Sequence, residues 1–211
     1  KKHQQILEKR GLPGSREKMD MFLSAYKSLT AAGYEPIGLD HYVKKDDELY
    51  QALSDHLLHR NFQGYCTRRT TGQVYAFGSS AISQLEGGYL QNTKDLPLYL
   101  ERLENGQLPG EKGLEINESE VIIREVITTL MCNKYLDWQQ LAEQLHISRE
   151  SLMNTIAWDD EQVKAFAEDK LVLQDSNSLR VTETGSLFIR NIAASLDPAY
   201  KLQKHKYSKS I

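Results

Sequence analysis

The segment His59-Arg60-Asn61-Phe62-Gln63-Gly64-Tyr65 crowds an aromatic ring, an amide, a glycine and a basic group into seven positions. That mixture makes a poor core but suits a loop where backbone meets a ligand. Gly64 and the later Gly78 remove steric bulk, and Phe62 offers a flat face. The run Gly78-Ser79-Ser80-Ala81-Ile82-Ser83 follows, without the glycine spacing or lysine of a phosphate-cradling loop; a tight strand-to-helix connection explains it equally well. Asp40-His41 is a second polar pair, readable as ligand-facing or as a helix cap beside a solvated histidine. His56 and His59 lie three apart, a spacing that can share a metal, yet no third ligand is near and a core or surface pair is the simpler reading. Cys66 and Cys132 are the only cysteines, which excludes a disulfide framework and a local cysteine metal cage, and fits a reducing cytoplasm.

Positioning these residues requires alternating elements. Residues 3–10 read as a helix tail closed by Gly11. Ser15 is a candidate N-cap for a helix whose Met19, Phe22, Leu23, Tyr26 and Leu29 form one stripe, ending at Gly33. Tyr34 to Val43 then reads as a strand, with Ile37, Leu39 and Val43 apolar and Asp40-His41 near its carboxyl end, the ligand-binding end in α/β folds. Asp46 and Asp47 open a further helix. Thr70-Thr71-Gly72 reads as a turn and Val74 to Phe77 as a short strand. The polar, glycine-rich stretch Glu104 to Gly113 reads as a boundary, dividing the chain into residues 1–115 and 116–211.

Beyond the boundary, Val121 to Leu130 marks a helix, and Trp138 to Ile156 has helix-turn-helix spacing with Ser148 capping the second helix. Leu171–Leu173 and Leu179–Val181, separated by Asp175-Ser176-Asn177-Ser178, read as a two-stranded wing, so a winged-helix domain is expected over about 117–197. Charge argues against DNA. From Glu118 to Pro198, seven cations face fourteen carboxylates, a balance of −7, and the recognition helix leads into Asp159-Asp160-Glu161. Lys201, Lys204, Lys206 and Lys209 form a basic tail, read as a frayed end. No apolar run approaches the roughly 18 residues of a membrane span.

The string Gly33 to Tyr42, then Asp46-Asp47-Glu48-Leu49, Leu58 to Tyr65, Ser80-Ala81-Ile82-Ser83, Val181-Thr182 to Gly185, Leu187 to Ile192, and Tyr207-Ser208 to Ile211 resembles the oxygen-independent coproporphyrinogen III oxidases. These are radical S-adenosylmethionine (SAM) enzymes of haem synthesis. The resemblance runs from Leu12 onward and matches the C-terminal half of the family, so Lys1 is expected not to be the natural start. It implies α/β plus α architecture: the last part of a partial TIM-like (βα) barrel, then a helical, winged-helix-like domain. It also implies SAM and a [4Fe-4S] cluster in the complete enzyme. The CxxxCxxC loop that ligates the cluster is not in this sequence, so no metal-binding residue is assigned and the chain alone is expected to be inactive. By resemblance, Phe62, Gln63 and Ile82 line a pocket for a second SAM or the substrate. Asp40 and His41 fall at the catalytic rim. Arg60, with Arg68 or Arg69, is expected to contact propionates of coproporphyrinogen III, although Arg68-Arg69 suits a solvated hairpin as well. The implied reaction converts two propionates to vinyls with loss of CO2 and transfer of electrons to an acceptor. Implied partners are the substrate and the N-terminal half of the same protein, with no nucleic acid and no membrane. Alternatives are a radical SAM relative that chaperones haem and a non-enzymatic winged-helix interaction module.

Overall fold

The computed structural model describes residue 6 and residues 11–62, 64–67 and 73–202. The expectations for the helix tail at 3–10 (Ile6 apart), Gln63, Arg68, Arg69, the turn at Thr70–Gly72 and the C-terminal Lys204 to Ile211 lie outside the described residues, as does the side chain of Lys201.

Helix α1, Ser15–Ala31, begins one residue earlier than its sequence suggests: Gly14 is the N-cap, and its N–H donates to Glu17 Oε2 at 2.8 Å. The expected single strand Tyr34–Val43 is instead a hairpin. Strand β1 (Tyr34–Ile37) pairs antiparallel with β2 (His41–Lys44), and Asp40 sits in the turn. Gly38, at φ +56°, reverses the chain where the Ile37, Leu39, Val43 pattern suggests continuation.

Helix α2 (Glu48–Ser54) starts at Asp47, whose carboxylate accepts from Leu49 N–H at 2.8 Å. It leads into the hairpin of β3 (Leu58–Arg60) and β4 (Tyr65–Thr67). The short strand expected at Val74 to Phe77 reduces to one bridge, Val74 to Gln84. Gly78–Ser83 enters a strand, β5 (Ile82–Leu85), not a helix. β5, β6 (Gly88–Asn92) and β7 (Gly110–Glu115) form an antiparallel meander, with helix α3 (Leu96–Glu104) between the last two. The stretch Glu104 to Gly113, expected to be a boundary, therefore ends inside β7.

The second half follows the pattern more closely. Helix α4 (Glu118–Asn133) has a reciprocal cap: Asn117 Oδ1 accepts from Glu120 N–H and Glu120 Oε2 from Asn117 N–H. Strand β8 (Tyr135–Asp137) precedes α5 (Trp138–Gln144) and α6 (Arg149–Thr155), and Ser148 caps α6. Helix α7 (Asp160–Glu168) leads to β9 (Val172–Gln174) and β10 (Ser178–Val181), which form an antiparallel sheet ordered β8-β10-β9. The short helices α8 (Glu183–Ser186), α9 (Ile189–Ser195) and α10 (Pro198–Leu202) finish the described chain.

The architecture is mixed α and β, every named strand pair is antiparallel, and no barrel closes among the described residues. Two cores form. The larger gathers Val126, Leu130, Leu136, Trp138, Leu152 and Ile192 with their neighbours. The smaller holds Ile37, Ala52, Leu58 and Cys132. Helix α4 contributes to both.

Candidate functional site

The Asn61–Gly64 loop joins β3 to β4 and is closed by two bonds: Asn61 N–H donates to Gly64 O at 2.9 Å, and Gly64 N–H to Asn61 Oδ1 at 3.1 Å. The hairpin delivers Tyr65 onto the β1–β2 turn. Its hydroxyl accepts from Leu39 N–H at 3.0 Å, so a backbone donor freed by the turn is satisfied by a side chain. A Cβ at Gly38 would overlap the Tyr65 ring, which makes this glycine necessary for the contact as well as for its φ. Burial pushes the Tyr65 phenol above its ordinary pKa, against the smaller opposing effects of the Leu39 bond and Arg60.

Two of the expected site residues meet on that ring. His41 packs edge-on at 4.9 Å between centroids, and the Arg60 guanidinium lies 5.4 Å from the centroid. His41 Nδ1 is bonded to Asp40 Oδ1 at 2.8 Å, and both side chains face solvent. The expected residues Asp40, His41 and Arg60 are thus assembled through Tyr65, which residue types alone did not single out. Its neighbour Cys66 accepts a 3.7 Å contact from Asn61 Nδ2, and burial pushes its thiol up.

On the other side of Arg60 lies a cavity of about 300 Å³, lined by Arg60, Asn61, Phe62, Gln84, Tyr89 and Met131 among others. Phe62 is 58% exposed and meets Tyr89 edge-to-face, 5.5 Å between centroids at 87°. Tyr89 is held in turn by Arg124, whose guanidinium lies 5.8 Å from its centroid and donates to Leu85 O and Glu86 O at 3.1 and 3.0 Å. Ile82 is on the same face of β5 as Gln84 by strand alternation, but does not line the cavity. A half-exposed ring beside amide and guanidinium donors, over an apolar floor, suits a flat ligand with a polar head.

His56 and His59 are not joined in a metal site. His56 stacks on Tyr135 at 5.0 Å, while His59 is buried in β3, and no group of three or more His, Cys, Asp or Glu among the described residues could hold a metal ion.

No family model matches the sequence. The oxygen-independent coproporphyrinogen III oxidase of Helicobacter pylori (strain J99) is 33% identical over 211 residues, all of this chain and 45% of that protein. Its namesake from Salmonella typhimurium is 37% identical over 195 residues, 92% of this chain and 41% of the relative. Among solved structures, the Escherichia coli coproporphyrinogen III oxidase, reported as a radical SAM enzyme, superposes with a TM-score of 0.77 at 34% identity, covering 89% of this chain and 42% of that one. The chain is a homologue of the C-terminal part of the oxygen-independent coproporphyrinogen III oxidases. It spans under half the length of these coproporphyrinogen oxidases.

Proposed function

We propose that this chain is the C-terminal part of a radical SAM oxidoreductase that converts two propionates of coproporphyrinogen III to vinyls. The observation that carries the reading is the likeness to coproporphyrinogen oxidases along the whole chain, with the Asn61–Gly64 loop seated on the Asp40-His41 turn. In this reading, which rests on the likeness to the coproporphyrinogen oxidases, Phe62, Gln63 and Ile82 serve a binding site for SAM or substrate that is wider than the cavity beside Phe62, since Ile82 does not line that cavity. The exposed Phe62 ring and the cavity beside it fit an adenine or a pyrrole face. Arg60 receives a propionate, a bidentate pairing that its guanidinium favours, and the Asp40-His41 pair stands at the rim. The chain's own contribution is to bind, orient and exclude water.

The iron–sulfur cluster of such enzymes does not fit this chain, because a site-differentiated [4Fe-4S] centre takes three thiolates and the sequence has two cysteines. Alone, the chain is inactive; its partners are the substrate and a cluster-bearing N-terminal half, in the cytoplasm. Residues 1–115 are the end of a partial TIM-like barrel with its strand extension. Residues 116–211 are a winged-helix-like domain, a reading supported by the α5–α6 pair and the β8-β10-β9 sheet. No helix among the described residues is long and apolar enough to cross a membrane.

Nucleic acid is not a partner in this reading. Arg149, the cation at the start of α6, donates to Asn177 Oδ1 at 3.2 Å and to Ser176 O, and Arg180 lies on the Tyr135 ring at 4.8 Å. Both are engaged within the fold, on a domain whose balance is negative.

In a cluster-bearing full-length enzyme, Arg60→Ala is expected to raise the KM for coproporphyrinogen about tenfold, roughly the loss of one charge-assisted pair. An unchanged KM removes Arg60 from the substrate site. Reconstitution of the isolated chain with iron and sulfide is expected to give no SAM cleavage; cleavage would overturn the assignment of inactivity.

A further inference from the structure

A cleft of about 230 Å³ lies between α1, the β1–β2 hairpin, the end of α4 and helix α8, and it shares Gly38, Leu39 and His41 of the β1–β2 turn with the candidate site. Its walls include Phe22, Tyr26, Leu39, Tyr42 and Leu187, an apolar and aromatic surface. One cation enters it. Lys134 caps α4 in the left-handed conformation (φ 55°), which turns the chain and sets its side chain in the cleft wall. The amine has no hydrogen-bond or ion-pair partner among the described residues, and burial lowers its pKa despite the opposing field of Glu183.

Other polar side chains of the wall are engaged within the fold, Ser186 among them, whose hydroxyl donates to Thr182 O at 3.0 Å. Glu183 Oε1 accepts from the Tyr26 hydroxyl at 2.8 Å, and His41 Nδ1 is bonded to Asp40. What remains is an apolar slot in which, among the described residues, the ammonium makes no direct ion pair and feels Glu183 only as a field across the cleft. Removing an ammonium from water without a counter-ion is costly, and a ligand carboxylate would offset that cost where a neutral ligand would not.

We propose that this cleft binds a small aromatic carboxylate, its ring against Tyr26, Tyr42 and Leu187 and its carboxylate on Lys134 Nζ. The volume admits one or two fused rings and is below the range usual for drug-sized ligands. The site goes beyond the proposed oxidase function: it involves none of Arg60, Phe62 or Ile82 and requires no cluster.

The test is calorimetric titration of the 211-residue chain with naphthalene-2-carboxylate and with its neutral counterpart 2-naphthalenemethanol. The carboxylate is expected to bind about tenfold more tightly than the alcohol. Lys134→Met should bring the two within about twofold, while Lys134→Arg should keep the preference. Ligand-induced NMR shifts in the wild-type chain should centre on Tyr26, Tyr42 and Leu187, a readout that stands even if Lys134→Met does not fold. Equal affinity for acid and alcohol, a preference that survives Lys134→Met, no carboxylate binding at millimolar concentration, or shifts confined to other surfaces would each overturn the proposal.

Discussion

Tyr65 reaches its position because Gly38 has no side chain, and this pair decides where Asp40 and His41 stand. Gly38→Ala would place a Cβ in a left-handed backbone and into the Tyr65 ring together. The expected loss is about 2 kcal/mol or more, read as a lower urea midpoint. A second expectation at this scale concerns pH. Burial lowers the folded pKa of Lys134 below its ordinary 10.5, so between the two values the unfolded chain holds more protons and stability rises with pH. Cys66, ordinarily at 9.0, and Tyr26, Tyr42 and Tyr65, ordinarily at 10.0, have raised folded values, so above those ordinary values the folded chain holds more protons and their contribution to stability falls. Denaturation midpoints across alkaline pH should rise and then fall, and Lys134→Met should abolish the rise alone. Phe62 and Gly64 were legible in the sequence because an exposed ring and a glycine are out of place in a core. Tyr65 and Tyr89 were not, since their partners are brought near by hairpins and a tyrosine at a strand end looks ordinary.

Helices were easier to read than strands. The stripe of α4, the Ser148 cap and the Asp175 turn are local signals, each complete within a few residues. Strands β1 and β2 were not separable: Ile37, Leu39 and Val43 satisfy alternation whether or not the chain reverses at Gly38, and the reversal is fixed by a partner from another hairpin. β7 was hidden for a similar reason, its pattern Gly-Glu-Lys-Gly-Leu-Glu lacking apolar alternation because one edge of a meander and not a core face holds it. At the end of α4, Asn133 Oδ1 accepts from Leu58 N–H at 3.1 Å and Asn133 Nδ2 donates to Leu58 O at 3.2 Å, both buried. Asn133→Ala leaves a donor and an acceptor of β3 without partners. A loss of about 2–4 kcal/mol is expected in chemical denaturation, together with weaker ligand binding at the loop that β3 carries.

Taken whole, the charge of the second half predicts behaviour no single residue does. Fluorescence anisotropy with a duplex oligonucleotide at physiological salt should show no binding, and salt-sensitive binding would contradict the reading that nucleic acid is not a partner. The net charge could be read directly from the sequence; the internal engagement of Arg149 and Arg180 could not. Helix α4 sends Val126 and Leu130 into the larger core and Cys132 into the smaller, while Leu39 from the hairpin packs on the larger one. A helix that belongs to both interiors cannot melt on one side only. Hydrogen–deuterium exchange of its last amides should therefore report global opening, and heating should reveal one calorimetric peak in place of two.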